Sequence, residues 1–273
     1  MTASSPAPLA ADAPWVVLKF GGTSVATVER WRTILRLAVT RRDEGMRVLV
    51  VVSALSGVTD ALKALCACAA GERSARMAEL RERHRALASS MQLAQVEGME
   101  RWLGSLQSLL FPLPSGGGGA SAPGEGERQR LRDAGGITRR LSRRESGFAW
   151  QASVQAYGEL LSSALGAAFM SANGVATEWL DAREALLARE VPFLNERARV
   201  LSAQVQADRD PAFAAALAGR GEVFITQGFI ARDGDGGTVL LGRGGSDTSA
   251  AYLGALLGAA RVEIWTDVAG MFT

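Results

Sequence analysis

Seven consecutive residues, Gly242-Arg243-Gly244-Gly245-Ser246-Asp247-Thr248, combine three glycines with a guanidinium, a carboxylate and two hydroxyls. The chemistry open to such a set is the holding of an anion. Glycines remove the Cβ atoms that keep a ligand away from backbone amides, and they permit positive φ. An apolar run, Thr238-Val239-Leu240-Leu241, leads into the loop, and the helical stretch Ala250 to Leu257 leads out of it. Ser246 or Asp247 is placed to cap that helix, whose first N–H groups favour an anion. Neither Arg243 nor Asp247 is needed to make a turn. A plain glycine-rich connector is the competing reading for this loop alone, and it weakens once a second such loop is found.

The second loop lies near the other end of the chain. Trp15-Val16-Val17-Leu18 reads as a strand and runs into Lys19-Phe20-Gly21-Gly22-Thr23-Ser24-Val25, after which a helix pattern continues through Ile34, Leu35 and Val39. Backbone amides and the helix dipole can hold phosphate there. The lysine precedes the glycines, so this is not a G-x-x-x-x-G-K-[ST] loop. No G-x-G-x-x-G follows a strand either, so a dinucleotide fold has no support. A lysine ending a buried strand is costly unless an anion or a carboxylate meets it; a lysine reaching solvent is the alternative.

The elements that must position these loops repeat one unit. Val48 to Val52 is a continuous apolar run, as expected for a strand covered on both faces, and it ends in Ser53-Ala54-Leu55-Ser56-Gly57-Val58-Thr59-Asp60 before a helical stretch from Ala61 to Ala70. Three strand–loop–helix units predict a three-layer α/β domain with a mainly parallel sheet and helices on both faces. In such sheets ligands bind outside the carboxyl ends of the strands. Arg73 to Leu110 reads as helices, and Gln151 to Met170 as a helix carrying Tyr157-Gly158-Glu159. Val175 to Leu180, Glu222 to Ile230 and Arg261 to Trp265 read as strands, with Asp210-Pro211 opening a short helix through Leu217. Asp233-Gly-Asp-Gly-Gly is a hairpin signal. The stretch at about 112–147, with Pro-Ser-Gly-Gly-Gly-Gly and Ala-Pro-Gly-Glu-Gly-Glu, has linker composition and is expected to be a flexible insertion.

Composition narrows the class. The 273 residues are enough for one sizeable core. A net charge of +2, with dispersed lysine and arginine, gives no nucleic-acid footprint. No apolar run reaches the length that spans a membrane, so no membrane partner is expected. Residues 1–14, rich in Ala, Ser and Pro, read as a disordered tail rather than a signal peptide. Cys66 and Cys68 share an apolar helix and are expected as reduced core residues of a cytoplasmic protein. His84, the only histidine, lies among Arg81, Glu82, Arg83 and Arg85 and is expected on a solvated helix face.

Five motifs together resemble aspartokinase. They are Lys-Phe-Gly-Gly-Thr-Ser at 19–24, Ser-Ala-x-x-Gly-x-Thr at 53–59, Tyr-Gly-Glu at 157–159, Gly-Arg-Gly-Gly-Ser-Asp at 242–247 and Trp-Thr-Asp-Val at 265–268. They stand in that family's order, and the resemblance spans Trp15 to Thr273. Ile225-Thr-Gln-Gly-Phe-Ile and Ile264-Trp-Thr-Asp are similar to the version fused to a diaminopimelate decarboxylase, an enzyme of which this sequence carries no motif.

The resemblance implies an amino-acid-kinase-like domain that phosphorylates the β-carboxylate of L-aspartate with MgATP. That is the first step of lysine, threonine and methionine biosynthesis, performed by an enzyme that is a homo-oligomer when complete. A carboxylate with a pKa near ~4 is already ionised at neutral pH, so no general base is required. Catalysis then rests on charge neutralisation and in-line positioning. Carried onto the matching positions, Lys19 with Gly21, Gly22, Thr23, Ser53 and Gly245 holds the phosphates. Asp247 orients Lys19 or reaches Mg²⁺ through water, with no direct protein ligand to the metal. Arg243, flanked by Gly244 and Ser246, suits bidentate capture of an aspartate carboxylate. Glu159 pairs with the substrate ammonium, and Thr59 hydrogen-bonds the amino acid. Thr266, Asp267 and Phe272 face the nucleotide; the family has tyrosine at the last position, so stacking is kept and a hydroxyl contact is lost. The family continues past the equivalent of Thr273 with an Asp-Pro-Arg segment and further strands, so the nucleotide lobe is expected to be incomplete. Two other readings stand beside this one. One is another acyl-phosphate kinase of the same fold, against which Arg243 in its loop and Tyr157-Gly-Glu159 argue. The other is a catalytically incomplete chain that only binds aspartate.

Overall fold

Continuous burial selects the central strands. β1 (Trp15–Phe20) and β2 (Arg47–Val52) are buried at every position and pair in parallel, Lys19 opposite Val51. β3 (Thr177–Leu180) and β4 (Val223–Gln227) extend the sheet beyond β2. β5 (Ile230–Arg232) and β6 (Thr238–Leu240) pair antiparallel in a separate ribbon, and β7 (Arg261–Trp265) pairs in parallel with β1. The five-stranded sheet has the order β3-β4-β2-β1-β7, parallel throughout. The computed structural model describes residues 8–10, 12–112 and 147–266. Most of the expected tail at 1–14, nearly all of the expected insertion at 112–147, and the positions Asp267 and Phe272 lie outside the described residues.

Helices cover both faces. They are α1 (Val28–Asp43), α2 (Val58–Ala67), α3 (Ala70–Ser90), α4 (Glu97–Leu110), α5 (Phe148–Ala172), α6 (Ala182–Ala185), α7 (Glu196–Leu201), α8 (Pro211–Ala218) and α9 (Gly245–Leu257). Leu18, Val50 and Ile225 are in register and share one face, where α5 and α1 meet: a Cβ on Gly166 would come within 2.7 Å of Ile225 and 2.2 Å of Trp31. The adjacent residue Val17 points to the other face, where Gly254 of α9 lies against Val17 and Val262. Because side chains alternate along a strand, Lys19 points to the α9 side as Val17 does. The expected three-layer, mainly parallel fold is therefore present.

Four local expectations need correction. The strand at 238–241 is not a third member of the parallel sheet; the hairpin expected at Asp233-Gly-Asp-Gly-Gly is present, with Asp233 accepting from the N–H groups of Asp235 and Gly237, and it pairs this strand antiparallel with β5. The expected strand from Glu222 to Ile230 breaks at Gly228-Phe229, where Phe229 has a φ of 68° and Gly228 is pressed against Ser246. Neither Ser246 nor Asp247 caps α9; Gly244 does so at a φ of 72°, leaving the Asp247 carboxylate for another partner. His84 is fully buried, not solvated. It shares a helical stripe with Met77, Leu80 and Leu87, and that spacing outweighs its charged sequence neighbours. Its Nδ1 lies 2.8 Å from the Leu80 carbonyl, and burial lowers its pKa. Cys66 and Cys68 are both free and half-buried, and burial pushes the Cys66 thiol up to about 11.

One close approach sets the position of α5. A Cβ on Gly158 would stand 2.7 Å from Ala54 Cβ and 3.3 Å from Leu62 Cδ1. Gly158→Ala is expected to lose about 1–3 kcal/mol by overpacking. Urea unfolding of the variant would show this as a lower midpoint at constant slope.

Candidate functional site

The sheet order reverses around β1, with β2 on one side and β7 on the other, so the carboxyl end of β1 is a topological switch point. A cleft of about 970 Å³ opens there. Its floor is Lys19, Gly21 and Gly22 with the turn Ser53 to Gly57. α5 supplies one wall and the Gly242–Asp247 turn the wall facing it, while α7 closes a third side. All three loops singled out in the sequence thus converge, although β6 belongs to a different ribbon.

Hydrogen bonds fix the floor. Ser53 N–H donates to Phe20 O (3.1 Å) and Ser56 N–H to Gly22 O (3.1 Å). From the wall, Ser162 Oγ donates to Ser53 O (2.7 Å), and Ala54 N–H donates to Glu159 Oε1 (3.1 Å). From outside, the Arg83 guanidinium donates to Ser56 O. Two helices point their N-termini into the cleft, α2 capped by Gly57 and α9 by Gly244. Neither cap has a side chain that takes up first-turn amides; backbone carbonyls take those of Val58, Gly245 and Asp247, which leaves the amides of Thr59, Asp60 and Ser246 to meet an anion.

The charges are arranged asymmetrically. Lys19 Nζ lies 2.5 Å from Asp247 Oδ1, the partner that its burial requires. Arg243 and Arg197 line the cleft, and neither makes an ion pair with the described residues. Glu159 is buried, and its Oε2 has no hydrogen-bond partner among the described residues. Burial pushes its carboxyl up to about 8, opposed by hydrogen bonds from the backbone. A buried carboxyl oxygen without a partner calls for a cation or a donor from a ligand.

Most of the expected site residues meet here. Lys19, Gly21, Gly22, Ser53, Thr59, Glu159, Arg243, Gly244, Gly245, Ser246 and Asp247 all line the cleft. Thr23 does not: the turn closed by Ser24 N–H on Gly21 O leaves it exposed. Thr266 follows β7 and is not part of the lining, and Asp267 and Phe272 lie outside the described residues. The sequence reading missed Gln151 and Gln155, which stand two turns and one turn before Glu159 on the same face of α5. Their four-residue spacing on an otherwise apolar helix was the available signal. It also missed Phe229, whose strained backbone is held by Ser249 Oγ accepting from its N–H (2.8 Å), and Arg197 on α7.

Fold and site define a parallel α/β domain with a cleft at its switch point, lined by glycine-rich turns, Lys19, Arg243 and the buried carboxyl of Glu159. Comparison with known proteins makes this particular. The chain belongs to the amino acid kinase family, whose model matches residues 14–273. It is 31% identical over 258 residues to an aspartokinase of Chlamydia muridarum, covering 94% of this chain and 49% of that protein. It is 31% identical over 262 residues to the lysine-sensitive aspartokinase 3 of Escherichia coli, covering 94% and 50%. The crystal structure of E. coli aspartokinase III in complex with aspartate and ADP superposes with a TM-score of 0.69 at 30% identity, over 94% of this chain and 50% of that one. The chain spans about half the length of the curated relatives it matches.

Proposed function

We propose that the protein acts as an aspartate kinase, transferring the γ-phosphoryl group of ATP to the β-carboxylate of L-aspartate to give 4-phospho-L-aspartate and ADP. The observation that carries this reading is the buried Glu159 carboxyl, one oxygen of which has no partner among the described residues, in the same cleft as Arg243, which forms no ion pair among them, and the Lys19–Asp247 pair. A zwitterionic amino acid needs such a complement. The similar E. coli enzyme has been crystallised with aspartate and ADP together.

Glu159 receives the substrate ammonium and Arg243 a carboxylate, with Thr59 and Ser246 donating beside them. Lys19, the backbone of Gly21, Gly22 and Gly245, and Ser53 hold the phosphates and the charge that develops on the transferring group. Thr23, Thr266, Asp267 and Phe272 keep the nucleotide assignment that the motifs imply. Asp247, half exposed at the phosphate end, fits Mg²⁺ brought in with ATP through an intervening water, and it orients Lys19. The ion supplies neutralisation of phosphate charge when bound.

The reading is tested by trapping aspartyl phosphate with hydroxylamine. Hydroxamate that depends on both aspartate and ATP is the expected result, and its absence from active preparations of the whole enzyme would overturn the proposal. Arg243→Lys should weaken aspartate binding about tenfold or more, because the planar fork is lost while the charge is kept. Calorimetric titration checks this, and unchanged affinity would remove Arg243 from the carboxylate site.

A further inference from the structure

Phe229, between β4 and β5, lines the cleft with a φ of 68°. Left-handed backbone is rare for a residue with a bulky side chain. Ile230 N–H donates to Gly228 O across it (2.8 Å), which closes a γ-turn of the strained kind that positive φ gives. Such a turn persists only where its surroundings over-determine it. Here Gly228 N–H donates to Val52 O and Leu241 N–H to Phe229 O, both at 2.8 Å. The Phe229 N–H itself donates to Ser249 Oγ (2.8 Å). Ser249 is fully buried near the start of α9, takes no part in the cleft lining, and passes its hydroxyl proton to Gly245 O (2.8 Å). One hydroxyl therefore ties the strained turn to the first residue of the helix. The two backbones interlock at the same place. A Cβ on Gly228 would stand 2.6 Å from Ser246 Cβ, and one on Gly245 would stand 2.8 Å from the Phe229 ring.

We propose that Ser249 is a positioning residue for phosphoryl transfer: its hydroxyl holds the Phe229 turn in its strained form and so fixes the amino end of α9, which presents Asp247 to Lys19. This rests on the reading of the cleft as a kinase site. Without the hydroxyl, the turn loses the acceptor for its N–H and relaxes towards negative φ. Gly228 and Phe229 then draw away from Ser246 and Gly245, and the amino end of α9 loses the surface on which it is seated. The Lys19–Asp247 pair loses its fixed alignment in turn. Misplacing a catalytic group by about 1 Å costs on the order of a hundredfold in rate. Binding in the ground state depends less on that alignment, so the loss falls on kcat.

The test uses the whole enzyme and compares wild type with Ser249→Ala, which removes the hydroxyl, and Ser249→Thr, which keeps it. Hydroxamate formation is followed at a temperature where thermal unfolding shows all three folded. Ser249→Ala should lose about tenfold or more in kcat, with KM for aspartate and for ATP moving much less. Ser249→Thr should keep most of the wild-type kcat. Amide hydrogen exchange at Phe229 supplies a second reading that does not depend on turnover. It should be about tenfold or more faster in Ser249→Ala than in the other two, the scale for losing one hydrogen bond. An unchanged Phe229 amide in Ser249→Ala overturns the proposal at its structural step. A freed amide with wild-type kcat makes the contact merely structural and overturns the positioning role. Equal loss of kcat in Ser249→Thr, with its Phe229 amide still protected, shows that rate does not follow the hydroxyl and overturns it as well. Each of these results leaves the kinase reading standing, whereas a wild type that forms no hydroxamate overturns both.

Discussion

Lys19→Ala should lower kcat for aspartyl phosphate formation by about a hundredfold or more, the scale for losing one preorganised electrostatic group. The side chain enters the cleft from the end of β1, is 11% exposed, and is held 2.5 Å from Asp247 before any ligand arrives. It has no reorganisation to undergo when charge builds on the transferring phosphoryl group. Aspartate KM should move much less, because the contact matters most in the transition state. The variant also leaves Asp247 unpaired beside the phosphates, which adds repulsion to the lost attraction. Fold stability should change little, since the Asp247 carboxylate is half exposed and its pair is screened by solvent. The hydroxamate assay reads kcat and KM together, and thermal unfolding reads the control. Full activity in a folded Lys19→Ala enzyme would refute the assigned role.

What the sequence disclosed and what it hid follow from the range of the interactions concerned. β1 and β2 are legible because a strand buried on both faces needs an unbroken apolar run, and the sequence supplies two. The loop residues are legible because glycines, a lysine and an aspartate at a strand end have few structural uses. Partner choice is not local. The apolar stretch at 238–241 looks the same whether it joins the main sheet or folds back on β5, and only the Asp233-Gly-Asp-Gly-Gly turn before it, readable as a hairpin signal, decides for β5. His84 shows a similar conflict, in which adjacent arginines suggest solvent while Leu80 and Leu87, four before and three after, carry it into the core. Arg197 reaches the cleft only because α7 packs on α5, a contact between elements far apart in the chain. Gln155 was within reach, since it stands four residues before a glutamate on an apolar helix; the pattern of that helix draws attention to its leucines instead.

Aspartate affinity should rise about tenfold per pH unit as pH increases towards about 8 and level off above it. The cause is Glu159, whose carboxyl burial pushes from an ordinary 4.5 up to about 8. At neutral pH the free protein therefore holds the proton, whereas the substrate ammonium requires the carboxylate. Binding must expel that proton, and the linkage makes affinity increase with pH while the free form is protonated and the complex is not. The same shift has a second consequence, with the opposite dependence on pH. Between about 4.5 and about 8 the unfolded chain has given up a proton that the folded chain retains. Conformational stability should therefore fall as pH rises through this window, because the native state binds more protons there. Calorimetry in buffers of different ionisation enthalpy should find close to one proton released per aspartate bound at pH 7, with release vanishing above about 9. Glu159→Gln should lose the proton release and the pH slope of affinity, bind aspartate weakly at every pH, and lose the decline in stability across the window. Wild-type affinity that is flat from pH 6 to 8, with no proton released, would mean that Glu159 does not meet the ammonium.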